Sequence, residues 1–175
     1  MTMENLKKTV EFAANAAILL ACCLLSWALI AHHSFGPRSS FGKKEEVRLA
    51  GQSIPSLPGY RWVDHRETLI LAIRKGCGYC EASLPFYKRL GELEADGQLH
   101  AHLLAVMPDD PATGSEELKS SGVGVDGVFS QPLDLIKVTG TPTLLLLDAT
   151  GRVAQAWVGQ LSPQREKEVI AAAER

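Results

Sequence analysis

Apolar and polar positions follow three rhythms along this chain, and each predicts a different kind of element. The first is an unbroken apolar run. Phe12 to Ala31 reads FAANAAILLACCLLSWALIA, 20 residues without a charge, in which only Asn15 and Ser26 are strongly polar. Wound as a helix rising ~1.5 Å per residue, it matches the ~30 Å hydrocarbon core of a bilayer. The second rhythm is the short apolar run bounded by turn residues, which marks a buried strand. Thr68 to Ile73 (TLILAI), His100 to Met107 (HAHLLAVM) and Thr143 to Leu147 (TLLLL) have this form, and Val123 to Phe129 is a weaker case. Arg152 to Val158 returns from Thr143–Leu147 through the turn Asp148-Ala149-Thr150-Gly151 as a hairpin. The third rhythm is helical. Leu84, Tyr87, Leu90 and Leu93 recur at helical spacing within Tyr79 to Leu93, with Pro85 predicted to kink the helix. Ser115 opens a short helix, Leu133 to Val138 forms a helical turn, and Ser162-Pro163 starts a last helix that runs to Glu174.

The order of these elements predicts an α/β domain, with a mixed central sheet flanked by helices. The chain divides into an N-terminal tail (1–11), a transmembrane anchor (12–31), a linker (32–48) and a folded domain (49–175). Ser34 to Lys44 is rich in Ser, Gly and charge and reads as a tether. Gly51 to Gly59, with Pro55 and Pro58, reads as an irregular lead-in to the domain. Trp27 and His32-His33 suit the membrane interface. Two other readings of the apolar run stand beside the anchor. One is a signal peptide cleaved after Ser26-Trp27-Ala28. The other is a lipoprotein signal at Leu19-Leu20-Ala21-Cys22, against which the run stays apolar beyond Cys22. Cys22 and Cys23 read as apolar helix residues. Lys7 and Lys8 precede the run, whereas Arg38, Lys43, Lys44 and Arg48 follow it. The positive-inside rule, taken alone, leaves the domain in the cytoplasm.

Composition narrows the function. Hydrophobic residues make up 46% and charged residues 22%, which excludes a disordered chain, and a formal net charge of -2 argues against a nucleic-acid partner. Two of the four cysteines remain outside the apolar run, in Cys77-Gly78-Tyr79-Cys80. This motif falls between the first predicted strand and the first predicted helix. A thiol at a helix start has free backbone N–H groups and the positive end of the helix dipole beside it, and both favour thiolate. Cys77 is thus the expected nucleophile and Cys80, one turn deeper, the resolving thiol. Such chemistry needs no cofactor beyond a Cys77–Cys80 disulfide. Two competing readings use the same cysteines. His100 and His102 share a strand face and could complete a Cys2His2 zinc site, and a metal carrier could use Cys77 and Cys80 themselves as ligands. The pair could also be a purely structural disulfide.

From about Leu49 to the end, the chain resembles the thioredoxin superfamily. The residues that carry this are CGYC after a strand, Pro85 five residues after Cys80, and Gly140-Thr141-Pro142-Thr143 leading into four leucines. The resemblance implies a thioredoxin-like fold and a cis-proline at Pro142 packed beside the cysteine pair. It also implies that Thr141 offers its backbone to an added substrate strand. The anchor, the lead-in GQSIPSLPG and the insert between His100 and Ile136 are similar to the TlpA/ResA-like group. This implies an exported, membrane-tethered reductase of client proteins, fed by a membrane electron donor. Its domain would lie on the periplasmic or extracytoplasmic side of the cell membrane, against the Lys/Arg count. CGYC and the threonine before the proline are instead similar to DsbC-type isomerases, which leaves an exported oxidase or isomerase as the alternative direction. Peroxidase chemistry fits less well, because the reactive cysteine lies in CxxC. Three departures stand out. Gly76 replaces a tryptophan, Leu71 replaces a buried aspartate that serves Cys80 in cytosolic thioredoxins, and Gly78-Tyr79 replaces the Gly-Pro pair that helps set the redox potential. Glu81 is the adjacent acid.

Overall fold

The computed structural model describes residues 15, 18–27 and 40–174. Residues 18–27 are helical, and the apolar side chains of Ile18, Leu19, Leu20, Leu24, Leu25 and Trp27 are exposed there, as are the free thiols of Cys22 and Cys23. Much of the expected 12–31 span lies outside the described residues. Among the described residues, no helix is long and apolar enough to cross a membrane.

From residue 40 onward the chain builds a five-stranded sheet in the order β3-β2-β1-β4-β5. The strands are β1 (Glu67–Ala72), β2 (His102–Met107), β3 (Gly127–Ser130), β4 (Thr143–Asp148) and β5 (Val153–Val158). β1, β2 and β3 run parallel, whereas β4 pairs antiparallel with both β1 and β5. Five helices accompany the sheet. They are α1 (Ser40–Leu49), α2 (Gly78–Ala82), α3 (Leu84–Ala95), α4 (Pro111–Ser120) and α5 (Pro163–Ala173). This is the mixed, helix-flanked sheet that the apolar pattern predicts.

Both faces of the sheet are covered, so its central strands carry unbroken apolar runs, 69–72, 103–107 and 144–147, and are polar only toward their ends. Leu69, Leu71, Leu103, Leu144 and Leu146 point to one face and pack with Phe86, Tyr87 and Leu90 of α3 and Val169 and Ile170 of α5. Ile70, Ala72, Leu104, Val106, Leu145 and Leu147 point to the other. That second face is closed by Leu49 at the end of α1, by Trp62 and by Ile136 and Val138. Trp62 lies over the β4–β5 turn and donates its indole N–H to Ile54 O at 3.1 Å. Gly151, at φ 77, completes that turn against the indole ring, where a side chain would collide.

α1 departs from the expected linker 32–48, whose second half is helix rather than tether. Its inward side is held largely by charge. Glu46 Oε1 accepts from Val158 N at 3.0 Å and from Arg165 Nη2 at 2.8 Å, and Glu45 is buried. Where the helix ends, Gly51 N donates to Val153 O and Val153 N to Gln52 O, tying its exit to β5. Hydrophobic periodicity has no means of reporting a helix docked this way.

A second close approach fixes α3. Gly91 faces the backbone of Gly124, and a Cβ on Gly91 would lie 2.6 Å from Gly124 O and 2.9 Å from its N. Backbone on the far side has little room to yield. Gly91→Ala is therefore expected to destabilise the fold by about 1–3 kcal/mol through overpacking, although alanine is the better helix former. Urea unfolding of the variant against the parent measures this, and equal midpoints would show that the contact relaxes freely.

Candidate active site around the Cys77–Cys80 disulfide

β1 delivers the chain to the carboxyl edge of the sheet, where Ile73 to Gly76 turn it into α2. Gly76 sits at φ 67, a left-handed backbone that glycine adopts without cost. A glycine in place of the tryptophan suits this conformation. Cys77 is the N-cap of α2, and the residues after it begin the helix through Cys80 N–H and Glu81 N–H donating to Cys77 O at 2.9 and 3.0 Å. Cys77 and Cys80 are joined by a disulfide with their Cα atoms 5.2 Å apart. Both cysteines are buried, while Gly78 and Tyr79 between them are exposed.

The helix predicted from Tyr79 to Leu93 is interrupted where Pro85 requires it. Pro85 has no N–H to offer the carbonyl of Glu81. α2 ends at Ala82, Ser83 forms the joint, and α3 starts at Leu84 with the proline in its first turn. Ser83 Oγ donates to Tyr79 O at 2.8 Å and so satisfies a carbonyl beside the break.

Two groups reach the Cys77 sulfur from outside the cysteine ring's own side chains. Cys80 N–H donates to Cys77 Sγ at 3.2 Å, and Thr141 Oγ1 donates to it at 3.4 Å. Each would stabilise a thiolate once the disulfide is opened. The carbonyl oxygen of Thr141 lies 3.6 Å away and could accept from the protonated thiol. The Thr141–Pro142 peptide is cis, as the resemblance implies, and Pro142 is buried beside β4. Gly159 N donates to Pro142 O at 2.8 Å and Thr143 Oγ1 donates to Gly140 O at 2.7 Å, so this loop is held from both ends. Arg74 and Lys75 are exposed, and salt screens what they add to the field at the sulfur.

Leu71 is fully buried in the same apolar cluster as both cysteines, so β1 supplies no acid to Cys80. A cleft adjoins Cys80 instead, walled by Ile73, Leu84 and Met107, with Glu81 and Glu117 on its rim. Tyr87 also lines it, but burial pushes the phenol up to about 12, which keeps it neutral.

The alternative metal site is not formed. β1 and β2 are parallel, and Thr68 at the start of β1 pairs with His102 at the start of β2. The histidines thus stand at the amino edge of the sheet and the cysteines beyond its carboxyl edge. His102 Nδ1 lies 3.4 Å from Asp126 Oδ2, and its ring is 4.0 Å from that of His65. Among the described residues, no group of three or more His, Cys, Asp or Glu is arranged to hold a metal ion.

A clamp that the sequence reading missed grips the loop before Thr141. Thr139 Oγ1 donates to Glu45 Oε1 at 2.6 Å, and Arg48 reaches Lys137 O at 2.5 Å. The bond from Arg48 chiefly, with help from Thr139, holds the Glu45 carboxyl down to about 2 against the opposing effect of burial. A carboxyl depressed in the folded state stabilises it above the unfolded value, here 4.5, and loses that contribution as pH falls toward 2. The stability gap between the parent and Glu45→Gln is therefore expected to be constant above about pH 5 and to close between pH 4.5 and 2. Urea midpoints across that range test it.

Sheet order, helix placement and the cis-proline beside a CxxC pair together define a thioredoxin-like fold. No protein-family model and no curated protein matches the chain. Solved structures do. The chain is similar to a thioredoxin-family thiol:disulfide interchange protein from Chlorobium tepidum TLS, at 15% identity and TM-score 0.51 over 72% of this chain and 95% of that one. It is similar to a thiol:disulfide interchange protein from Bacteroides sp., at 12% identity and TM-score 0.52 over 72% and 91%. It is also similar to the thioredoxin domain of a thiol-disulfide oxidoreductase from Bacteroides vulgatus, at 13% identity and TM-score 0.50 over 72% and 98%. At these identities the likeness establishes the fold.

Proposed function

We propose that this chain is a membrane-tethered thiol–disulfide oxidoreductase that reduces disulfides of exported proteins. The observation that carries the reading is the Cys77 sulfur, placed at a helix start and faced by the hydroxyl of Thr141 in the cis-proline loop. In the reduced protein, Cys77 thiolate attacks a client disulfide and forms a mixed disulfide, releasing one client thiolate. Cys80 thiolate then attacks the Cys77 sulfur, re-forms the Cys77–Cys80 bond and releases the second client thiolate. Two electrons pass from the dithiol to the client, and a membrane electron donor must return two to this protein. The proton of Cys80 leaves through the cleft that Glu81 and Glu117 border. Thr141 and Pro142 form the edge on which a client segment lies, and Gly78 and Tyr79 tune the potential.

The tether is residues 12–31, supported by the apolar run and by the helical, apolar character of residues 18–27. The extracytoplasmic placement follows the sequence resemblance and runs against the Lys/Arg count. Labelling of Cys77 in intact cells by a thiol reagent that cannot cross membranes tests it; protection of Cys77 until lysis would place the domain inside.

Trapping tests the chemistry. Cys80→Ser is expected to accumulate reductant-sensitive adducts with client proteins through Cys77, and the double variant Cys77→Ser/Cys80→Ser is expected to form none. Absence of adducts, with loss of a bound metal instead, would support a carrier.

A further inference from the structure

We infer that Glu45 is a positioning residue for the exchange site, acting through Thr139 to hold the Thr141–Pro142 loop against the Cys77 sulfur. The inference rests on the exchange chemistry proposed above and extends it to a residue on α1, far from CGYC in sequence.

Both oxygens of Glu45 are engaged. Oε2 accepts from Arg48 Nε at 2.7 Å, and Oε1 accepts from Arg48 Nη2 at 2.5 Å and from Thr139 Oγ1 at 2.6 Å. Arg48 Nη2 continues to Lys137 O at 2.5 Å, and Lys137 Nζ donates to Gln52 Oε1 at 2.9 Å. Lys137 is the only non-glycine residue with positive φ among the described residues, at 63. L-residues seldom adopt that conformation without contacts that impose it. Residues 137 and 139 are thus both gripped by α1, and two residues beyond the grip stands Thr141, whose hydroxyl donates to Cys77 Sγ at 3.4 Å. That length is ordinary for a hydrogen bond to sulfur, and outward movement of the loop would lengthen and misalign it. Losing a donor to a thiolate raises the thiol's pKa. Glu45 also stays ionised through the range in which a cysteine titrates, so the clamp itself does not switch there.

A second anchor on the same helix supplies the control. Glu46 binds Arg165 and Val158 N, on α5 and β5; it hydrogen-bonds to neither Lys137 nor Thr139, although Val158 precedes the Gly159 that holds Pro142 O. Loosening α1 through Glu46 should leave Cys77 unchanged, whereas loosening it through Glu45 should not.

The test is the pH dependence of Cys77 alkylation by iodoacetamide in the reduced full chain, with Cys22 and Cys23 replaced by serine. The modified Cys77 peptide is read by mass spectrometry. The charged groups around the site, namely Arg74, Lys75, Glu81, Asp109 and Glu117, are the same in every variant, so a shift reports the loop. Glu45→Gln is expected to move the profile upward by about half a unit or more, an alkylation rate about threefold lower at pH values below the transition. Thr139→Val is expected to move it the same way, and the double variant by less than the sum of the two, because both loosen one coupled network. Glu46→Gln is expected to leave the profile in place. A Glu45→Gln profile that overlays the parent, or an equal shift in Glu46→Gln, overturns the inference while leaving the exchange reading intact. If Glu45→Gln does not fold, Thr139→Val, which keeps the Glu45–Arg48 pair, decides alone. An ordinary thiol profile for Cys77 in the parent chain would instead overturn the exchange reading and this inference with it.

Discussion

Cys77→Ser is expected to lower client-disulfide reduction on the order of a thousandfold or more, with the fold unchanged. Every step of the proposed chemistry passes through this sulfur. It sits at the start of α2, receives Cys80 N–H at 3.2 Å and the Thr141 hydroxyl at 3.4 Å, and stands beside the loop where a client would lie. Serine preserves the size but its hydroxyl ionises far above the range of a thiol and forms no disulfide. Cys80→Ser should behave differently. The first attack survives and the second does not, so the variant turns over poorly but reacts once and remains attached to its client. A stopped assay with a disulfide-bonded protein substrate separates the two. If Cys77→Ser retained activity while Cys80→Ser lost it, the assignment of nucleophile and resolving thiol would be reversed.

Leu71→Asp is expected to destabilise the domain by about 3–5 kcal/mol at neutral pH. The position is where cytosolic thioredoxins resembling this chain carry a buried acid, which makes the substitution look innocuous. Here Leu71 has no exposed surface and packs among Leu69, Leu103, Leu144 and both cysteines. The variant loses that packing and places a carboxyl in an apolar cluster. Burial raises the folded pKa of such a carboxyl above its unfolded value near 4, so the folded state holds the proton longer. The penalty is then smallest below pH 4 and grows as pH rises through the folded pKa. Leu71→Asn, which is polar but does not titrate, should show a loss that lacks this trend. Urea unfolding between pH 3 and 8 measures both. A variant as stable as the parent at pH 7 would show that the region behind Cys80 is wet, with room for an acid.

The strands were legible in the sequence because the sheet is buried on both faces. Leu69 to Ile73, Leu103 to Met107 and Leu144 to Leu147 are unbroken apolar runs, and each lies within a residue or two of an observed strand. α1 was not legible, since its inward side carries Glu45 and Glu46, with buried Leu49 only at its end, rather than an apolar stripe. The expected linker 32–48 therefore gives way to helix from Ser40. The cysteine pair and Pro142 could be found because each carries local signals in the sequence. Thr139 and Glu45 carry none; they are 94 residues apart and meet only once β4 and α1 are both in place. The Cys2His2 alternative failed for a related reason. Alternation correctly placed His100 and His102 near a strand start, but only the parallel register shows that this start is at the far edge of the sheet from the cysteines.

The central claim is that Cys77 and Cys80 form a reversible two-electron couple poised for reduction of clients. Its most direct test is the thiol–disulfide equilibrium of the protein in glutathione and dithiothreitol buffers, read by the fraction of Cys77–Cys80 disulfide. The account predicts a single reversible transition close to the potential of thioredoxin, about -270 mV. A transition nearer -120 mV would contradict the direction, making the protein an oxidant or isomerase. No reversible transition at all would contradict the exchange chemistry itself.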